Sequence, residues 1–146
     1  MQMSRFTDLG LKVLMYLSCH RTPSTTIARI ADDLQVSKNH LVKVVHFMAQ
    51  QQWLVTMRGK CGGIALARLP QEYVLGDLIR TLEQKYQHEQ LQVRINVAQN
   101  GVLPALHHLP KVLQQSLDCF YQHLNAYRLS DIAFVPDAGE VCFCSN

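Results

Sequence analysis

The connection Gln35-Val36 constrains this chain most, because it leaves two residues in which to turn one amphipathic helix into the next. Before it, Ile27, Ile30, Ala31 and Leu34 mark the apolar face of a helix of about three turns, opened by an N-cap within Ser24-Thr25-Thr26. After it, Ser37 is placed to accept a hydrogen bond from a free backbone N–H, and Leu41, Val44, Val45 and Met48 repeat the buried spacing. Two helices joined this closely read as helix-turn-helix. A first helix precedes them, with Phe6, Leu9, Val13, Leu14 and Leu17 on one stripe and Pro23 at its end. Beyond them, Trp53-Leu54-Val55-Thr56-Met57 and Ile64-Ala65-Leu66-Ala67 have strand composition and flank Arg58-Gly59-Lys60-Cys61-Gly62-Gly63. The glycines of that basic tip let its backbone approach another surface closely. The pattern predicts a winged helix: mainly α, with a small β-hairpin wing.

The remainder predicts a second element of different use. Leu75, Leu78, Ile79 and Leu82 are in phase for a helix over 75–86, which closes a winged module spanning 1–86. Asn96, Asn100 and Gly101 break the periodicity, so 87–103 reads as a loop. From Pro104 or Pro110 to Tyr127, Leu106, Leu109, Leu113, Leu117, Phe120 and Leu124 recur at helical spacing. That stripe is too long to hide on a small winged domain, so a helix and its end within 104–132 are expected to pair with a second copy. The twofold symmetry of such a homodimer suits a paired DNA site. Residues 133–146, with Pro136 and Gly139, read as a flexible tail.

Charge divides along the same line. Residues 1–80 carry ten Lys/Arg against five Asp/Glu, whereas 81–146 carry four against six. A polyanion partner is therefore expected for the first part. The five cysteines, Cys19, Cys61, Cys119, Cys142 and Cys144, are odd in number and scattered, unlike a secreted disulfide framework. No apolar run is long enough to span a membrane, and Met1-Gln2-Met3-Ser4-Arg5 does not begin a signal peptide. A cytoplasmic protein is expected.

The second helix of the helix-turn-helix offers Ser37, Lys38, Asn39, His40 and Lys43 on its first turns, the small and polar groups that read base edges in a major groove. Asn39 suits a bidentate pair with adenine, and Lys38 and Lys43 suit phosphate or guanine. Arg58, Gly59 and Lys60 form the wing tip and can reach a phosphate backbone or a narrow minor groove. Arg5 and Arg68 are further candidates for phosphate. The competing explanation of each is an ordinary solvated face.

Catalysis finds no support, since phosphate-loop, His-Glu-x-x-His and Gly-x-Ser-x-Gly patterns are all missing. Cys142 and Cys144 form the sole close thiol pair, and His88, His107, His108 and His123 lie in the same half. They read as tail and surface residues rather than a metal site. Cys19 and Cys119 read as small core residues, and Cys61 as an exposed thiol between Arg58 and Lys60 whose oxidation would disturb DNA contact.

Three strings, Phe6-Thr7-Asp8-Leu9-Gly10-Leu11, Val36-Ser37-Lys38-Asn39-His40-Leu41-Val42-Lys43-Val44 and Arg58-Gly59-Lys60-Cys61-Gly62-Gly63-Ile64, together resemble the NsrR/IscR group of winged helix-turn-helix regulators. The likeness continues more weakly through Gly76-Asp77-Leu78-Ile79-Arg80-Thr81-Leu82-Glu83 and Tyr127-Arg128-Leu129-Ser130-Asp131. The resemblance implies a homodimeric, nitric-oxide-sensitive repressor with a long dimerisation helix and an iron-sulfur cluster. It places three cluster cysteines at about 90–108, near Asn96, Gly101 and Leu106 or His107, where this sequence has no cysteine. Asp8 matches a position that resembles a ligand given by the partner subunit. One carboxylate without thiolates does not hold a conventional cluster, so neither cofactor nor metal is expected. The resulting expectation is a DNA-binding repressor, with a winged-helix protein-interaction module, or a redox or metal sensor using Cys or His, as the alternatives.

Overall fold

A computed structural model describes residues 3–20, 25–57, 62–85 and 108–133. Helix α1 (Arg5–Cys19) begins where the Ser4 hydroxyl accepts from Thr7 N–H, and it buries Leu9, Val13, Leu14 and Leu17 as its stripe requires. Helix α2 (Ile27–Asp33) is capped by the Thr26 hydroxyl, which accepts from Arg29 N–H at 3.3 Å. Helix α3 (Lys38–Gln50) buries Leu41, Val44, Val45, Phe47 and Met48.

The turn between α2 and α3 is made by Gln35 in the left-handed region, at φ 50°. Gln35 N–H reaches Asp32 C=O at 3.1 Å and Val36 N–H reaches Ala31 C=O at 3.0 Å, so the free carbonyls of α2 are satisfied while the chain reverses. The same device ends α3. Gln52 has φ 58°, with Gln52 N–H on Ala49 C=O and Trp53 N–H on Met48 C=O, both at 3.0 Å.

Strands β1 (Leu54–Met57) and β2 (Gly63–Leu66) pair antiparallel, from Leu54 opposite Leu66 to Met57 opposite Gly63, and confirm the wing hairpin. Thr25 adds a bridge to Ile64, fastening the entry of α2 to the wing. A short 3-10 turn (Pro70–Glu72) leads into α4, helical over 75–85. The Tyr73 hydroxyl donates to Trp53 C=O at 2.7 Å and accepts from Arg68 N–H at 3.0 Å, which fixes the wing base to the start of α4.

Helix α5 (His108–Leu124) is the long amphipathic element, but it stops before Tyr127. Its last turn tightens, with Ala126 N–H on His123 C=O and Tyr127 N–H on Leu124 C=O, and Arg128 then pairs with Val74. Two main-chain bonds seal the return: Leu75 N–H to Tyr127 C=O and Leu129 N–H to Tyr73 C=O, both at 3.0 Å. Helix α6 (Leu129–Ile132) follows and packs against α1 and the 3-10 turn. Residues 129–133 thus differ from the expected dimerisation segment and tail, because Leu129 and Ala133 are buried, with Leu129 inside the winged module's core.

The stripe of α5 is divided. Tyr121 packs with Leu75 and Ile79 in a second core cluster, to which Leu117 and Leu124 contribute partly buried side chains. Arg80 pairs with Asp118 at 2.8 Å and lies over the Tyr121 ring. Leu113 and Phe120 remain 55% and 39% exposed, and Val112 lies open beside them. Cys119 is exposed rather than in the core, because α5 turns it away from Tyr121. Cys19 is half-buried. The side chains of His108 and Leu109, and residues 87–103, Leu106, His107, Cys142 and Cys144, lie outside the described residues, as does His88 within that stretch.

Candidate nucleic-acid interface

Core demands on α3 decide what it presents outward. With Leu41, Val44, Val45 and Met48 turned inward, Ser37, Lys38, Asn39, His40 and Lys43 are all exposed on its first turns. Val42, His46 and Gln50 extend that face toward the helix C-terminus. Ser37 occupies the N-cap position, yet its hydroxyl makes no capping bond. Ser4 and Thr26, whose side chains do cap, have ψ of 152° and 154°, whereas Ser37 lies at 122°. The first amides of α3 therefore keep their donors and the positive end of the helix dipole toward solvent, an environment suited to phosphate.

A groove of about 660 Å³ separates the N-terminal halves of α1 and α3. Its exposed lining includes Arg5, Lys12, His40 and Lys43, above buried or half-buried Phe6, Leu9, Val36 and Val44. Asp8 enters the same groove and accepts from Lys12 Nζ at 2.8 Å. Arg5 thereby joins the exposed face of α3, although 32 positions separate it from Ser37 in the chain. Lys12 was not anticipated. Its signal was its spacing of two helical turns from Arg5, which puts both cations on one face of α1.

The base of the wing is described and its tip is not: Arg58, Gly59, Lys60 and Cys61 fall outside the described residues. The last pair of the β1–β2 register is Met57 opposite Gly63. Arg68 stands near the hairpin base, its guanidinium 5.6 Å from the centre of the Tyr73 ring. Among the described residues no group of three or more His, Cys, Asp or Glu could hold a metal ion, and no helix is long and apolar enough to cross a membrane.

Residues 3–134 match the profile of the Rrf2 family, described as iron-dependent transcriptional regulators. The chain belongs to the Rrf2 family. Relatives of this Rrf2 protein include the HTH-type transcriptional regulator NsrR of Geobacillus kaustophilus, 33% identical over 90% of this chain and 89% of that one. The NsrR regulator of Bacillus licheniformis is 32% identical over 94% and 95%. In fold the chain is similar to CymR, the global cysteine regulator of B. subtilis, with a TM-score of 0.65 and 24% identity over 91% of this chain and 96% of that one. It is also similar to T. potens IscR, with a TM-score of 0.64 and 20% identity over 90% and 85%. This Rrf2 protein is accordingly a DNA-binding transcriptional regulator of winged-helix fold.

Proposed function

We propose that this Rrf2 protein is a homodimeric repressor that lays α3 in the major groove and the Arg58-Gly59-Lys60 tip on the adjacent minor groove or backbone. One observation carries the reading: the core holds α3 so that Ser37, Lys38, Asn39, His40 and Lys43 face outward together, beside Arg5 and Lys12 across the groove. The exposed Leu113 and Phe120 of α5 suit a second copy of the chain, and two reading helices would then sit about one DNA turn, roughly 34–36 Å, apart. Its action is binding rather than catalysis, and the compartment is the cytoplasm, where its DNA lies. Selection from a randomised duplex pool, followed by footprinting, is expected to return a pseudo-palindrome with half-sites one turn apart. Equal binding to every duplex, or retention on DNA that ignores salt, would reject the reading.

The residues present do not fit a conventional iron-sulfur cluster. Such clusters take cysteine thiolates, residues 90–108 contain none, and Asp8 is engaged with Lys12. The protein is proposed to work without a resident cluster. Anaerobic purification is expected to give colourless protein without stoichiometric iron, and a brown chromophore with iron would contradict it.

A further inference from the structure

Val42 is 43% exposed in the middle of the reading face, between Asn39 one turn before it and His46 one turn after. Its neighbours on that face, Lys38, Lys43, His46 and Gln50, are all polar or charged. The core does not require an apolar group there, because Leu41, Val44, Val45, Phe47 and Met48 already supply the buried side of α3. Nor does the helix favour it: a β-branched side chain loses rotamer freedom in a helix, and a polar straight-chain residue at an exposed site would serve better. The free protein thus carries an uncovered apolar surface where the complex has its interface.

We infer that Val42 is a specificity-determining residue that packs against the C5 methyl group of a thymine. This rests on the reading of α3 as the major-groove helix. In that groove each base pair presents a distinct pattern, and thymine alone offers an apolar group, which is contacted by apolar side chains rather than by hydrogen bonds. Asn39 lies on the same face, one turn toward the N-terminus, and is suited to the adenine edge. The two side chains therefore select A·T pairs at nearby steps by different chemistry, one by paired hydrogen bonds and one by exclusion of water from a methyl group.

The test replaces thymine by uracil, which removes that methyl group and leaves every hydrogen-bonding edge unchanged. A duplex selected from a randomised pool by the full-length wild-type protein is synthesised with uracil at one symmetric pair of thymines at a time. One pair is expected to weaken binding by about fourfold per half-site, the equilibrium equivalent of one buried methyl-sized group. Val42→Ala, which favours the helix and leaves the core untouched, is expected to bind the thymine and uracil duplexes equally. Unaltered melting of the variant confirms that the fold is intact and that only the side chain's packing on DNA is removed. If no thymine pair responds, or if Val42→Ala still loses affinity on the same uracil, the role of Val42 is overturned while the DNA reading stands. If no duplex is retained at all, the reading of α3 fails and the inference falls with it.

Discussion

Two helix glycines make opposite demands on the fold, and alanine substitution separates them. A Cβ at Gly10 would meet only the methyl ends of Leu82, at 2.9 and 3.0 Å. A Cβ at Gly76 would collide with the main-chain carbonyl of Tyr121 and the side-chain amide of Asn125. Leu82 can shift within its rotamer well at a cost of about 1 kcal/mol, which the helix propensity gained by alanine, also about 1 kcal/mol, offsets. Gly10→Ala is therefore expected to stay within about 1 kcal/mol of wild type. A carbonyl fixed in α5 has no such escape, so in Gly76→Ala α4 and α5 must part by roughly 1 Å and loosen the Leu75, Ile79 and Tyr121 cluster. Overpacking of this kind costs about 2–3 kcal/mol, which for a chain of this length lowers the melting temperature by roughly 5–10 °C. Thermal melting and urea titration at one fixed protein concentration measure both variants, since the proposed pairing would make the midpoint concentration-dependent. Adding Asn125→Ala should not rescue Gly76→Ala, because the carbonyl remains. A Gly76→Ala protein as stable as wild type would refute the argument that backbone contact sets the spacing of these helices.

Other outcomes follow from single side chains. Lys43→Ala should flatten the log-log salt dependence of DNA binding by about 0.9 for each phosphate that Lys43 neutralises, whereas Asn39→Ala should relax preference at one base position with the slope unchanged. Phe120→Asp puts a charge in the open apolar face of α5 and should weaken self-association at least about tenfold in sedimentation equilibrium, with the monomer still folded. Gln35→Gly should raise stability by about 0.5 kcal/mol in urea titration, because a side chain at φ 50° is strained and glycine is not. Partial burial, reinforced by a hydrogen bond to Asp33, pushes the Tyr16 hydroxyl from 10.0 up to about 12. The folded state then holds this proton more tightly than the unfolded state. Its contribution is complete below pH 10 and is lost as pH rises from 10 to 12. Tyr16→Phe should remove that alkaline decline in melting temperature while costing about 0.5 kcal/mol at neutral pH.

The local features of the fold were readable from residue spacing. The stripes of α1, α2 and α3 all face the core, although Ile27 and Leu34 are only partly buried, and the strand residues around the glycine-rich tip pair as a hairpin. Periodicity records which residues share a face and says nothing of what covers it. On α5 one continuous stripe therefore concealed a division between Leu117 and Leu124, turned with Tyr121 to this chain, and Leu113 and Phe120, left open. The docking of α6 was hidden for a related reason, since Leu129 meets partners far away in sequence. Both left-handed turn residues are glutamines rather than the glycine that usually marks a helix end, so residue type marked neither stop, and the first was legible only from the break in phase between the stripes of α2 and α3. At the interface, the exposed positions of α3 were legible because each is simply what the core rejects. The silence of the Ser37 hydroxyl was not, because a serine at that position ordinarily caps.

The joint at 73–75 and 127–129 is closed by peptide groups, and while Tyr73, Leu75 and Leu129 are also buried there, it asks little of the Tyr127 and Arg128 side chains. Tyr127 and Arg128 can therefore be exchanged in the course of descent without unfastening the long helix from the body. With this hinge plate the outer surface of that helix is free to be remodelled while the angle at which the winged module is carried stays as it was.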